Sequence, residues 1–373
     1  MDVEAIVKER YSEGAKARQE QLCCPVDYDT NLLKALPTEI LEKDYGCGDP
    51  SRYVRKGDTV LDLGSGGGKI CYMAAQLTGS EGRVIGVDIN DDMLELARKY
   101  RQPMQDKLGG QPVEFVKGYI QDLALDVAAM EAWLAENPVN SAAGMKAFQE
   151  WQARQKSEAP LIADNSIDLV VSNCVLNLVS DSEKRQLISE IHRVLKPGGR
   201  VAVSDIVADE WVPEHLKKDP SLWSGCISGA FQEHEFLQTF IDAGFLAVAY
   251  DKWDNTPWQV VEGIEFRSVT LTAVKGQPEA CLDRGHAVIY RGPYASITDD
   301  EGHLFYRGER MAVCERSFKL LTSGVFKDDF IGIIPATLGE PVPMCAPAGT
   351  RRPVSETKSA QQISTSSGGS CCC

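Results

Sequence analysis

Thr59-Val60-Leu61-Asp62-Leu63-Gly64-Ser65-Gly66-Gly67-Gly68 decides the fold. Its first five residues read as a strand and the glycines after them as a turn; residues 69–77 then read as a helix. Glycines let a backbone approach a ligand closely, and a helix start offers unpaired N–H groups. Arg83-Val84-Ile85-Gly86-Val87-Asp88 is a second strand that ends on an acid. Residues 91–100 form a second helix with Met93, Leu94 and Ala97 on its inner face. A third strand begins at Val113 and leads into Gly118-Tyr119-Ile120-Gln121-Asp122.

The alternation continues. Residues 124–160 are an insertion of one or two helices split at Asn137-Pro138. Strands are expected at 167–172 and 200–205, and a helix at 182–195 is stopped by Pro197-Gly198-Gly199. A helix at 234–243 ends at Gly244, with strand-like runs at 245–251 and 264–274. The pattern implies an α/β fold, an open, mostly parallel sheet with helices on both faces. Ligands in such sheets lie outside the carboxyl ends of the strands. The glycine loop, Asp88, Asn173-Cys174 and the segment after Asp205 should therefore face one crevice.

Outside this domain (51–275), residues 1–50 read as a helical lead-in with Val7, Tyr11, Ala15 and Leu22 on one face, closed by Cys23-Cys24-Pro25. Residues 276–345 read as a small β-rich second domain. Residues 346–373, rich in Ser, Thr, Gly and Pro, are expected to be a disordered tail ending in Cys371-Cys372-Cys373.

The 373 residues carry a net charge of −15, which repels phosphate backbones and argues against a nucleic-acid substrate. No apolar run has the length of a membrane span. The first residues lack the apolar segment of a secretory signal, and Asp2, Glu4, Glu9 and Glu13 do not suit a mitochondrial presequence. Twelve cysteines in such a chain read as reduced thiols rather than disulfides. There is no Cys-x-x-Cys pair and there are five histidines, so no structural zinc or other metal-ion cofactor is expected.

The cofactor follows from Asp62. The loop reads Asp-x-Gly-x-Gly-x-Gly, not the Gly-x-Gly-x-x-Gly of a dinucleotide site. A carboxylate two residues before the first glycine would repel a pyrophosphate and suits an ammonium or sulfonium. That favours S-adenosylmethionine (SAM) over NAD, with Gly64, Ser65 and Gly66 against the ligand. Asp88 would take the ribose hydroxyls, and Gln121 or Asp122, with Ile120, would border the adenine.

Strand order places Cys174 and Cys226 near the methyl of such a ligand. Ser172, Asn173 and Asn177 give Cys174 polar neighbours. Cys226 sits in Gly225-Cys226-Ile227-Ser228-Gly229, read as a flexible lid, and Cys47 in Tyr45-Gly46-Cys47-Gly48, where two glycines would free the loop to move a thiol. Cys71, Cys281, Cys314 and Cys345 read as inert residues.

Together, Tyr45-Gly46-Cys47-Gly48, Leu61-Asp62-Leu63-Gly64-Ser65-Gly66, Ser172-Asn173-Cys174-Val175-Leu176-Asn177-Leu178 and Gly225-Cys226-Ile227-Ser228-Gly229-Ala230 resemble the arsenite methyltransferase family. The resemblance, over about residues 5–330, implies a cytoplasmic class I SAM-methyltransferase (Rossmann-like). It implies that Cys174 and Cys226 bind trivalent arsenic with Cys47 as third ligand, and that Cys23 or Cys24 is the family's N-terminal cysteine. Tyr45, Gly46, Met93 and Asn173 join the cofactor-binding residues. The substrate would be arsenite or its glutathione conjugates, on a monomer. Three thiolates would aim the arsenic lone pair along the S–CH3 axis, so that placement supplies most of the acceleration and no general base is needed. Methylation formally oxidises arsenic; the resemblance implies a Cys47 disulfide to Cys23 or Cys24 in the return step, reopened by thioredoxin or glutathione. Two departures stand out: Lys69 replaces the family's arginine and Ile70 its acid. The rival readings are a SAM methyltransferase for a small organic acceptor such as a sterol or quinone ring, and a non-catalytic arsenic-binding protein.

Overall fold

The computed structural model describes residues 3–17, 19, 26–108, 113–277, 280–323, 326–343 and 346–358. It divides into two units, 1–276 and 277–373.

The first unit opens with α1 (Val3–Lys16), α2 (Thr30–Leu33) and α3 (Thr38–Glu42). The alternating core follows: β1 (Thr59–Leu63), α4 (Lys69–Thr78), β2 (Arg83–Asp88), α5 (Asp91–Lys99), α6 (Arg101–Lys107) and β3 (Val113–Lys117). The insertion is α7 (Val127–Glu136) and α8 (Ala142–Glu158). Then come β4 (Ile167–Asn173), α9 (Lys184–Val194), β5 (Leu195–Ala208), α10 (Glu214–Lys217), α11 (Pro220–Ser224), β6 (Phe231–Gln232), α12 (Glu233–Asp242), β7 (Phe245–Trp253), β8 (Gln259–Val261) and β9 (Ile264–Lys275).

The sheet order is β3-β2-β1-β4-β5-β9-β7, with β6 on β5 and β8 on β9. Strands β1 to β5 pair in parallel, and β9 runs antiparallel between β5 and β7. Successive side chains alternate between faces. Leu61, Leu63, Val170, Val201 and Val203 pack with Leu187, Ile188, Phe236 and Phe240 of α9 and α12. Val60, Val84, Leu169, Val171 and Ala202 pack with Met73, Ala74, Leu94 and Ala97 of α4 and α5. Burial on both faces is why these strands read as continuous aliphatic runs. Chain direction across the sheet reverses between β1 and β4, so a crevice opens at their carboxyl ends.

Strand β5 begins earlier than expected and contains Pro197-Gly198-Gly199, and its pairing with β4 shifts register between Ile167 and Leu169. Such an irregularity is where a sheet tolerates proline.

The second unit contains β10 (Leu282–Asp283), β11 (Ala287–Tyr290), β12 (Ser296–Thr298), β13 (Leu304–Tyr306), β14 (Arg310–Ala312), α13 (Glu315–Leu321), β15 (Phe330–Ile333) and β16 (Val342–Pro343). Strands β14-β11-β15 form its central sheet over Val288, Tyr290, Phe305, Met311 and Phe330. The unit extends past the expected end at 345. Arg351 bridges to Met311, Arg352 Nη2 donates to both Asp283 carboxylate oxygens, and Arg310 donates to Thr357. These contacts are polar, and composition alone misread the segment as tail. Cys23, Cys24, Cys345 and Cys371 to Cys373 lie outside the described residues.

Candidate active site

At the switch point a cavity of about 430 Å³ receives every residue expected to bind the cofactor: Tyr45, Gly46, Asp62, Gly64, Ser65, Gly66, Asp88, Met93, Ile120, Gln121 and Asn173. Cys174 lines the same cavity. Gly66 has a φ of +50°, its absent Cβ would point into open space beside Met93 Sδ, and its N–H donates to Asp88 Oδ2 at 2.8 Å. Asn90 N donates to the other Asp88 oxygen at 2.8 Å, so the carboxylate is fixed at the end of β2. Burial raises the Asp88 pKa, against these amide hydrogen bonds.

Asp62 is 2 % exposed. Burial pushes its pKa up to about 7, against a hydrogen bond from Cys71 Sγ at 3.2 Å. Cys71 is thus a partner of the cofactor-site acid rather than a bystander. Ser65 Oγ is buried without a hydrogen-bond partner. A desolvated acid, an unmatched hydroxyl and a bare glycine in one cavity fit a ligand carrying both a cation and hydroxyls, as SAM does. Of the two residues considered for the adenine, Gln121 lines the cavity, while Asp122 is paired with Lys156 of α8. Lys69, in the place of the family's arginine, pairs with Asp44 at 2.8 Å, and Ile70 lines the cavity.

Cys47, Cys174 and Cys226 belong to one buried cluster with Ile206, Val212 and Phe266. Cys47 and Cys174 are joined as a disulfide with a Cα–Cα distance of 5.8 Å. The resemblance implied a bond from Cys47 to Cys23 or Cys24; in the state seen here Cys47 bonds instead to Cys174, its neighbour across the Asn173 clamp described below. Cys226 Sγ faces the Cys174 carbonyl at 3.4 Å. Cys174 and Cys226 both have positive φ, 59° and 62°, which is rare for non-glycine residues and recurs at functional sites.

Asn173 holds the Cys47 loop to β4. Its Oδ1 accepts from Cys47 N at 2.9 Å and Gly48 N at 3.0 Å, and its Nδ2 donates to Gly48 O at 2.8 Å and the Tyr28 hydroxyl at 3.2 Å. A Cβ on Gly46 would lie 2.0 Å from Asn173 Nδ2, and one on Gly48 would lie 2.4 Å from the Ser204 side chain. These glycines therefore serve close approach, not the loop mobility expected from the sequence. The segment around Cys226 departs from expectation in the same way. Cys226, Ile227 and Ser228 are buried, and a Gly229 Cβ would meet Asn177 O at 2.0 Å. It is a packed wall, not a lid.

Sequence reasoning missed two contributors. Asp205, fully buried within β5, places a carboxylate oxygen within 4.8 Å of the Cys47 and Cys174 sulfurs. It accepts from Ile206 N at 2.8 Å and Leu176 N at 2.9 Å, and burial pushes its pKa up to about 6. The sequence reading ends the fifth strand at this acid, whereas β5 continues to Ala208. The second is α1, which supplies Glu4, Val7, Lys8 and Tyr11 to the cavity wall. Arg10 of α1 donates to Ser221 O and Ser224 Oγ, each at 2.7 Å, and Asn90 Nδ2 donates to Lys8 O at 3.0 Å. The Tyr11 hydroxyl lies 4.0 Å from Cys226 Sγ; burial and that sulfur raise its pKa.

Comparison with known proteins agrees with the geometry. Residues 54–153 and 140–244 match the family model of a methyltransferase domain, and residues 277–362 match a domain described only as of unknown function. An arsenite methyltransferase of Aquipseudomonas alcaligenes is 31% identical over 311 residues, covering 80% of each chain. The arsenite methyltransferase of Mus musculus is 30% identical over 342 residues, covering 89% of this chain and 80% of that one. Among solved structures, an arsenic(III) S-adenosylmethionine methyltransferase from Chlamydomonas reinhardtii superposes with a TM-score of 0.55 at 26% identity, covering 87% of this chain and all of that one.

Proposed function

The chain belongs to the arsenite methyltransferase family, and on that premise we propose that Cys47, Cys174 and Cys226 hold trivalent arsenic while it is methylated. The reaction is SAM-dependent methylation of arsenite. The observation that carries the site assignment is a single cavity with Asp88 and Gly66 among its walls and Cys174 too, whose sulfur adjoins that of Cys47.

When bound, SAM supplies a methyl group on a sulfonium sulfur, open to displacement by the arsenic lone pair. Asp88 takes the ribose hydroxyls, and Asp62, its pKa high only while no cation is near, pairs with the ammonium. Soft thiolates select the soft metalloid, and three of them leave its lone pair as the one open direction. Asn173 and the left-handed turn at Cys174 fix that direction, so the chain's contribution is orientation. Tyr11 and the rest of α1 exclude water. A general base is not required, since arsenic has no proton to lose.

The sulfurs bind only as thiolates, so the Cys47–Cys174 disulfide must first be opened. Two thiols of a reductant such as thioredoxin or glutathione become a disulfide, and two electrons and two protons pass to the protein sulfurs. Methylation formally takes two electrons from arsenic, and oxidation of a protein thiol pair returns them. Among the described residues no helix is long and apolar enough to cross a membrane. A reducing compartment such as the cytoplasm suits this chemistry.

The test is Cys174→Ser and Cys226→Ser, each incubated with arsenite, SAM and thiol, followed by arsenic speciation. Loss of methylated products in both is expected; retained methylation in both overturns the assignment. Thiol-stoichiometric capture of arsenic by the wild type with no methylated product would favour a binding protein.

A further inference from the structure

The second unit holds a pair of cysteines that the reaction above does not use. Cys281 directly precedes β10, and Cys314 directly precedes α13. Helix α13 packs against β10, and Arg284 Nε meets Glu315 Oε2 at 3.2 Å, which ties the two segments together at that corner. The Cys281 and Cys314 side chains come close enough at that corner to act on one another, and neither is in a disulfide. In the sequence each reads as an inert lone cysteine, since a single cysteine is most often a small buried residue; the fold brings their segments together across 33 positions.

We propose that Cys281 and Cys314 form a second dithiol site that takes trivalent arsenic. The choice of ligand rests on the family reading above; the pairing of the sulfurs does not. Two neighbouring thiols on packed segments can span one soft acceptor. Once the first sulfur is bound the second adds intramolecularly, at high effective concentration. The reaction balances without an oxidant. As(OH)3 and two thiols give one arsenic bonded to two sulfurs and one hydroxyl, with two waters released.

The surroundings suit thiolates. Burial pushes the Cys314 thiol up, but hydrogen bonds from the Ser317 hydroxyl and amide, the Cys281 sulfur and the Arg316 charge outweigh it, so the net shift is downward. The Arg316 guanidinium acts on both sulfurs. Cys314 itself is buried, while Cys281 is half-buried and gives a ligand its way in. The ligand fits as a small, neutral, trivalent arsenical.

The experiment uses the full chain, reduced and freed of reductant. One equivalent of phenylarsine oxide per dithiol is added, and alkylation of Cys281 by N-ethylmaleimide is followed by peptide mapping. Slowing of at least about tenfold is expected, reversed by dithiothreitol but not by excess glutathione, since only a dithiol can displace a chelated arsenical. In Cys314→Ser the slowing should vanish. Serine keeps a side-chain acceptor for Ser317 N, and a matched melting curve shows that this variant folds. In Cys174→Ser the slowing should persist, which separates this site from the catalytic one. An unchanged alkylation rate with the arsenical, or equal slowing in Cys314→Ser, overturns the proposal.

Discussion

Asn173→Ala should release the Cys47 loop. The side chain satisfies three backbone groups of that loop, Cys47 N–H at 2.9 Å, Gly48 N–H at 3.0 Å and Gly48 C=O at 2.8 Å. Each such bond is worth about 1 kcal/mol net, so the loop should lose about 3 kcal/mol of local stability. With 1.4 kcal/mol per factor of ten, that is about a 10²-fold rise in local opening. The two-unit chain makes a global unfolding midpoint a poor measure. Hydrogen exchange at the Cys47 and Gly48 amides in reduced protein reads the effect directly, and arsenite methylation assayed alongside should fall. Tyr28→Phe removes the fourth Asn173 bond, at 3.2 Å, with the Tyr28 hydroxyl's own bond to Asp44 at 3.3 Å, and should shift exchange at these amides by less than about tenfold. Unchanged exchange at both amides in Asn173→Ala would refute the clamp.

The other expectations follow from single contacts. Asp62 has its folded pKa raised from 3.8 to about 7, so its stabilising effect is full below pH 3.8 and is lost as pH rises through about 7. Protection of the β1 amides from hydrogen exchange, corrected for the intrinsic pH dependence, should therefore fall across that range without SAM, and less so with SAM bound or in Asp62→Asn; Asp205, at about 6, leaves a residual slope of the same sign. Gly46→Ala puts a methyl 2.0 Å from Asn173 Nδ2 and should cost about 1–3 kcal/mol, read as faster hydrogen exchange in the same loop. Arg10→Ala removes two charge-assisted bonds that latch α1 and should weaken SAM binding by about tenfold in calorimetric titration, with the thermal stability of the sheet core retained.

The sheet, the glycine loop and the cofactor class are legible in the sequence. Those signals are local: aliphatic runs, a glycine turn after β1 and acids at the ends of β1 and β2, all within thirty residues of one another. What it could not convey depends on approach across long separations. Gly46 and Gly48 read as hinges because a glycine's spelling is the same whether it flexes or admits a neighbour, and the neighbours, Asn173 for Gly46 and Ser204 for Gly48, come from strands over a hundred residues later. Asp205 beside the sulfurs, α1 over the cavity, the partner of Cys47 and the pairing of Cys281 with Cys314 were all decided by tertiary packing. Burial and proximity are properties of the folded chain, and they are what turn a scattered set of thiols and acids into sites.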